Sequence, residues 1–88
     1  MDMWNVYMVR CSDGSLYTGI AMDVARRVVE HNTSDVLAAK YTRARRPVTL
    51  VYQEKHDTRS AASIREYEIK QMGEKEKLML LGAELALE

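Results

Sequence analysis

The stretch Trp4-Asn5-Val6-Tyr7-Met8-Val9-Arg10-Cys11-Ser12-Asp13-Gly14-Ser15-Leu16-Tyr17-Thr18-Gly19-Ile20 decides the fold. Its two halves are rich in β-branched and aromatic residues. Between them Ser12-Asp13-Gly14-Ser15 is a turn signal, so residues 4–20 read as a β-hairpin. Loop length then decides which face each side chain takes. A two-residue Asp13-Gly14 loop would pair Ser12 with Ser15 and put Tyr7 and Tyr17 on opposite faces. A three-residue Ser12-Asp13-Gly14 loop, with Gly14 left-handed in a bulge, pairs Cys11 with Ser15 and Val9 with Tyr17. Tyr7, Val9, Tyr17 and Gly19 then share one face. Trp4, Val6, Met8, Leu16, Thr18 and Ile20 share the other, more apolar one. This register sorts polarity better and is the one expected. On the hairpin alone, two half-buried packing tyrosines with wet hydroxyls would look the same.

Working outward, Asp23 is a good N-cap for a helix over Val24–His31, with Val24, Val28 and Ala25 as its apolar stripe and Arg26–Glu30 as a surface pair. Residues 36–46 read as a loop or an irregular short helix. Pro47 precedes the strand Val48-Thr49-Leu50-Val51-Tyr52. Asp57 or Thr58 caps a second helix of about 59–72, whose buried stripe reads Ala61, Ala62, Ile64, Ile69 and Met72. Gly73 breaks it, and a third helix runs from Glu74 to Leu81 before Gly82. The order β-β-α-β-α-α predicts an α+β fold, a small three-stranded antiparallel sheet flanked by helices. Residues 1–82 are expected to form one domain and 83–88 a tail, in which Leu87-Glu88 reads as a cloning scar.

The chain has 88 residues, too few for two cores. With 47% hydrophobic and 30% charged residues it is not disordered, and no apolar run reaches the ~18 residues of a membrane span. A lone cysteine, Cys11, cannot make an internal disulfide, and with two histidines it cannot build a structural zinc site. Cys11 is expected to be a small packing residue, and His56, near the second helix cap, to be structural. The N-terminus lacks a basic and apolar leader pattern, so a reducing, cytoplasmic location is expected. Thirteen basic residues balance thirteen acidic ones, yet residues 26–46 carry six basic against two acidic, a net of +4. A basic middle on a neutral domain meets a phosphate backbone locally or is simply a solvated loop.

Asn5-Val6-Tyr7, nine residues, then Tyr17-Thr18-Gly19, then Asp23-(three)-Arg27-(three)-His31-Asn32 resembles the GIY-YIG nuclease superfamily. Tyr41-Thr42-Arg43-Ala44-Arg45-Arg46-Pro47-Val48 and Leu50-Val51-Tyr52 narrow this to the small bacterial stand-alone (YhbQ-like) branch, which is similar to the nuclease domain of the Slx-type resolvases. The resemblance covers about residues 4–81. Asn5 replaces the first glycine and Thr18 stands at the centre of the second tripeptide. Thr33-Ser34-Asp35-Val36-Leu37 lacks the glycines the branch usually carries after its His-Asn pair.

The resemblance implies a catalytic set of Tyr7, Tyr17, Arg27, His31 and Glu66. Arg27 and His31 are one turn apart on a helix and present one face together. Arg27 offers a forked cation to phosphate oxygens, and His31 relays or donates a proton. A phenol with a pKa near 10 is only about one part in a thousand ionised at pH 7, so one of the two tyrosines needs a nearby cation to act as base. Tyr17 is expected in that role, with Tyr7 as a positioning hydroxyl. Glu66 is expected to hold one Mg²⁺ or Mn²⁺ ion, since such ions are often bound through a single carboxylate and several waters. Position alone does not separate Glu66 from Glu68, and Arg65 beside it would weaken the site. Lys40, Arg43, Arg45 and Arg46 are expected to contact nucleic-acid phosphates, which position DNA without reading its sequence.

The reading that follows is a metal-dependent endonuclease hydrolysing DNA with little base specificity, structure-selective and linked to repair or recombination. It is expected to work as a monomer away from membranes. Two alternatives stand beside it: a non-catalytic nucleic-acid binding module, and a subunit that acts only with a protein partner.

Overall fold

Strand β1 (Trp4–Arg10) lies in the middle of a three-stranded antiparallel sheet, flanked by β2 (Leu16–Ala21) and β3 (Thr49–His56) in the order β2-β1-β3. The computed structural model describes residues 3–86. The hairpin closes as the three-residue loop requires. The Cys11 N–H donates to the Ser15 carbonyl at 2.8 Å, the Gly14 N–H to the Cys11 carbonyl at 2.9 Å, and Gly14 has φ 85°. Val9 faces Tyr17 and Tyr7 faces Gly19 across the strands. Asp13 ties the loop by accepting from the Ser15 amide at 3.0 Å and its hydroxyl at 2.6 Å.

That register splits the molecule into two cores. Val6 and Met8, with Trp4, Leu16 and Ile20 partly buried around them, pack against Ala62, Ile69 and Leu81. Tyr7, Val9 and Cys11 pack on the other side with Val24, Val28 and Val48. Helix α1 (Val24–Thr33) therefore covers one face of the sheet, and α3 (Arg59–Gln71) and α4 (Glu74–Ala86) the other. A one-turn helix, α2 (Lys40–Arg43), follows α1. It is the short helix that residues 36–46 left open.

Local chemistry explains most boundaries. The Asp23 carboxylate accepts from the Arg26 amide at 3.0 Å and starts α1. Thr58, not Asp57, caps α3, its hydroxyl accepting from the Ala61 amide at 3.0 Å. Four expectations need correcting. Ala25 is exposed, because it lies about 100° round the helix from the buried Val24. Ile64 is 62% exposed, because two residues beyond the buried Ala62 is the opposite side of α3. Strand β3 runs four residues past Tyr52. Gln53, Glu54, Lys55 and His56 pair with Tyr7, Val6, Asn5 and Trp4, since an edge strand needs only one covered face. Helix α4 passes through Gly82 to Ala86, because Gly82 does not take the left-handed conformation that ends a helix. Leu87 and Glu88, read as a scar, lie outside the described residues. Among those described, no helix is long and apolar enough to cross a membrane.

Candidate active site

The site grows from a close approach. A Cβ on Gly19 would lie 2.7 Å from the Tyr7 hydroxyl oxygen, so the phenol lies flat over the facing strand only because residue 19 is glycine. Tyr7 is 1% exposed, and its hydroxyl is 2.7 Å from Nε2 of His31. His31 is fully buried, with Nδ1 2.7 Å from the hydroxyl of Thr42, itself fully buried. The Thr42 hydroxyl in turn donates to the Ala39 carbonyl at 3.0 Å. Sequence reasoning placed Thr42 only among the basic residues; its link to His31 depends on α2 folding back on α1.

The electrostatics follow from burial. Burial first, then the neighbouring Tyr17, push Tyr7 up to about 12, against the pull of Arg27. Burial first, then Arg27 and later Arg46, hold His31 down to about 4, with Glu30 opposing them. His31 is thus a neutral imidazole at neutral pH, and it reaches the site through Tyr7 rather than by exposure of its own.

Tyr17 is half-buried and holds the middle of an aromatic stack. Its ring meets His31 edge-on at 5.4 Å and stacks on Tyr41 at 5.9 Å. The Arg45 guanidinium lies 3.9 Å above the other aromatic partner, Tyr41, and Lys70 Nζ lies 5.8 Å from the Tyr17 ring. Neither Tyr41 nor Lys70 stood out in the sequence as a site residue. The i,i+4 spacing of Lys70 from Glu66 was the available signal.

Arg27 donates to Glu30 Oε1 at 3.1 Å and to the Leu37 carbonyl at 2.7 Å, both through Nη1. This holds the side chain at one nitrogen, with the guanidinium close enough to ease the ionisation of Tyr7. Helix α3 packs on the far face; Glu66 Oε2 is 3.4 Å from Lys70 Nζ, which lies 5.8 Å from the Tyr17 ring, and the Glu66 charge adds the smallest of the influences on Tyr7. Arg65 turns away from it, donating to Glu54 at 2.8 Å and reaching Glu68 at 3.4 Å. Each of these two helix carboxylates thus has one cation at 3.4 Å, Lys70 for Glu66 and Arg65 for Glu68. Burial would raise Glu54, but hydrogen bonds from Tyr52, His56 and Arg65 hold it below the usual carboxylate range, and this knot pins α3 against β3. His56, 2.8 Å from Glu54, belongs to it.

Among the described residues, no three His, Cys, Asp or Glu side chains gather into a metal cage. Glu66 alone, partly exposed beside the phenols, fits an ion held by one carboxylate, waters and substrate oxygens, and does not fit an all-protein site.

The four basic residues do different things. Lys40 is exposed. Arg43 donates to the Asp35 carbonyl at 2.6 Å. Arg45 pairs with Asp13 at 3.0 Å beneath the hairpin loop. Arg46 is built into the end of α1: Nε donates to the His31 carbonyl at 2.6 Å, Nη2 to the Ser34 carbonyl at 2.6 Å, and Nη1 to Asp35 at 3.0 Å. Asn32 completes that joint through a two-way pairing with the Val48 backbone, at 2.7 and 3.0 Å.

The GIY-YIG catalytic domain profile matches residues 3–79. A UPF0213 protein of Staphylococcus aureus is 57% identical over 81 residues, covering 92% of this chain and 96% of its own. The UPF0213 protein of Staphylococcus saprophyticus is 53% identical over 82 residues, covering 93% and 98%. The solution NMR structure of the UPF0213 protein of Bacillus halodurans matches with a TM-score of 0.60 at 37% identity, covering 92% of this chain and 84% of that one. A solution NMR structure of a protein from E. faecalis matches with a TM-score of 0.65 at 36% identity, covering 100% and 91%. With this much of the chain matched, and the tyrosines, arginine, histidine and glutamate drawn to one place, the chain belongs to the GIY-YIG catalytic-domain family, among its small UPF0213 members.

Proposed function

We propose that this protein is a metal-dependent endonuclease that hydrolyses DNA phosphodiester bonds with little base specificity, choosing DNA by its structure in repair or recombination. The reading rests on the buried Tyr7–His31 pair with the partly exposed Tyr17 ring 5.4 Å from His31, and on the influence of Arg27 and, least, of Glu66 on the Tyr7 hydroxyl. A binding module has no need of a buried phenol–imidazole hydrogen bond beneath its surface.

The residues divide the work by exposure. Arg27, held at one nitrogen, sets its remaining donors on the phosphate oxygens, where charge builds up during hydrolysis. Tyr17, half-buried, takes the water's proton after its own phenol proton has left to solvent, so the base acts as the phenolate. Tyr7, 1% exposed, orients the neighbouring groups. Glu66 would hold Mg²⁺ or Mn²⁺, which when bound supplies charge neutralisation and a more acidic water. Lys40, Arg43, Arg45 and Arg46 line the basic side, where contacts to phosphates position the duplex.

The test is incubation with nicked, flapped and branched DNAs plus Mg²⁺ or Mn²⁺. Cleavage is expected from the wild type and from Glu68→Ala, and none from Glu66→Ala. Full activity in Glu66→Ala, or binding without cleavage on every DNA by the wild type, refutes the reading.

A further inference from the structure

The protons of the buried Tyr7–His31–Thr42 chain can be counted. The Tyr7 hydroxyl is buried, and among the described residues the acceptor within hydrogen-bond reach of its proton is Nε2 of His31 at 2.7 Å. Buried hydroxyl protons are almost always given to an acceptor. Nε2 must then carry a lone pair, and in a neutral imidazole the ring proton is on Nδ1. The Nδ1 proton needs an acceptor, which is the Thr42 hydroxyl oxygen at 2.7 Å. That hydroxyl keeps a proton of its own to place, and the Ala39 carbonyl lies at 3.0 Å. Every donor is satisfied in this arrangement. In the opposite one, with Nε2 protonated, the Tyr7 proton has no acceptor among the described residues. We infer that Thr42 is a positioning residue, whose hydroxyl holds His31 in the Nδ1–H tautomer. This commits the Tyr7 hydroxyl as donor to Nε2 and leaves its oxygen to accept from the site side. No bond is made or broken: Thr42 fixes an orientation, acting through His31 on Tyr7 and so on the groups that meet the phosphate.

The inference rests on the nuclease reading for its catalytic consequence, but the tautomer is measurable without any activity. In ¹⁵N-labelled protein at neutral pH, with His31 assigned against a His56→Gln variant, His31 is expected to show a protonated Nδ1 and an unprotonated, acceptor-type Nε2. Thr42→Val removes the acceptor and is expected to shift His31 towards Nε2–H. Metal-dependent kcat on the best DNA should fall about 10–100-fold with little change in KM, the usual scale for losing an outer hydrogen-bond partner. Thr42→Ser keeps the hydroxyl and is expected to restore both tautomer and rate. A wild-type His31 protonated on Nε2 overturns the inference, as does a Thr42→Val protein with unchanged tautomer and rate. Should Thr42→Val not fold, the wild-type spectrum and the serine variant decide alone. A wild type with the expected tautomer but no cleavage of any DNA refutes the nuclease reading and leaves the tautomer assignment standing.

Discussion

Replacing Gly19 by alanine places a methyl group 2.7 Å from the Tyr7 oxygen, 2.8 Å from Cζ and 3.1 Å from Cε1. Comfortable contacts begin near 3.5 Å, so the phenol must retreat by about 0.7–1 Å. It has nowhere to go without leaving Nε2 of His31, now at 2.7 Å, because a retreat of that size exceeds the reach of a good hydrogen bond. Overpacking costs about 1–3 kcal/mol. The lost hydrogen bond adds about 0.5–1.5 kcal/mol. Losing glycine's freedom in the unfolded chain offsets about 0.4–1 kcal/mol of this. The net is a destabilisation of about 0.5–4 kcal/mol. For a domain of this size that lowers Tm by about 2–30 °C. Thermal unfolding followed by circular dichroism measures it, with DNA cleavage alongside, which should be lost. Gly14→Ala is the contrast. Gly14 has φ 85° and open space where its Cβ would go, so alanine there costs about 1–2 kcal/mol of backbone strain and leaves cleavage intact. A Gly19→Ala protein within about 0.5 kcal/mol of wild type, or one that cuts normally, would refute the idea that this glycine exists to seat the phenol.

Other outcomes follow from the same coordinates. His31 is held down to about 4 in the folded protein against an ordinary value of 6.5. The unfolded chain therefore binds the extra proton, and stability falls as pH drops from 6.5 towards 4. The loss is up to about 1.4 kcal/mol per pH unit, or about 3 kcal/mol across the window. Urea unfolding of wild type against His31→Gln measures it, and a wild-type stability that is flat over that range refutes it. The Thr18 hydroxyl is buried with no hydrogen-bond partner among the described residues, on the face away from Tyr7, so Thr18→Val should stabilise by about 1–2 kcal/mol while cleavage persists. A loss of stability in urea titration would show that the hydroxyl has a partner. Lys40→Ala and Arg45→Ala should each flatten the slope of log K against log salt for DNA binding by about 0.9, with unchanged slopes placing these side chains away from DNA. Arg46→Ala should also lower stability by about 1–3 kcal/mol, since its guanidinium closes the end of α1; unchanged thermal unfolding would argue otherwise.

The hairpin was legible because its turn is. Once Gly14 takes the left-handed conformation, the loop has three residues and every later side chain has a fixed face. Asp23 and Thr58 were legible as caps for the same reason: short side chains with one local job. What failed depended on tertiary partners. Ile64 looks like core in the sequence, but only the Ala62–Ile69 side of α3 meets the sheet. Gln53 to His56 lie beyond the strand read from the sequence, and join it because β1 offers its free edge. In the candidate site, the spacing of Arg27 and His31 could be read directly. That Arg65 reaches Glu54 and Glu68 rather than Glu66 could not be read from the sequence, because Glu54 comes from a different element. Thr42 is placed by the fold alone, because nothing in its local sequence sets it opposite His31, and Lys70 had only its i,i+4 spacing from Glu66 as a signal.

Strand β1 sits at the middle of the sheet, and its side chains alternate between two rooms that share a wall. Val6 and Met8 furnish the room that holds the molecule together; Tyr7 and Val9 furnish the one where chemistry is expected. For an engineer this is a partition of mutational risk along a single strand. Even-numbered positions can be repacked for heat resistance with α3 and α4 as the context. Odd-numbered positions should be left alone or varied as a library for substrate choice. For natural variation the same partition lets drift in one room proceed without rewriting the other, so a chain this small can change its stability and its specificity on separate schedules.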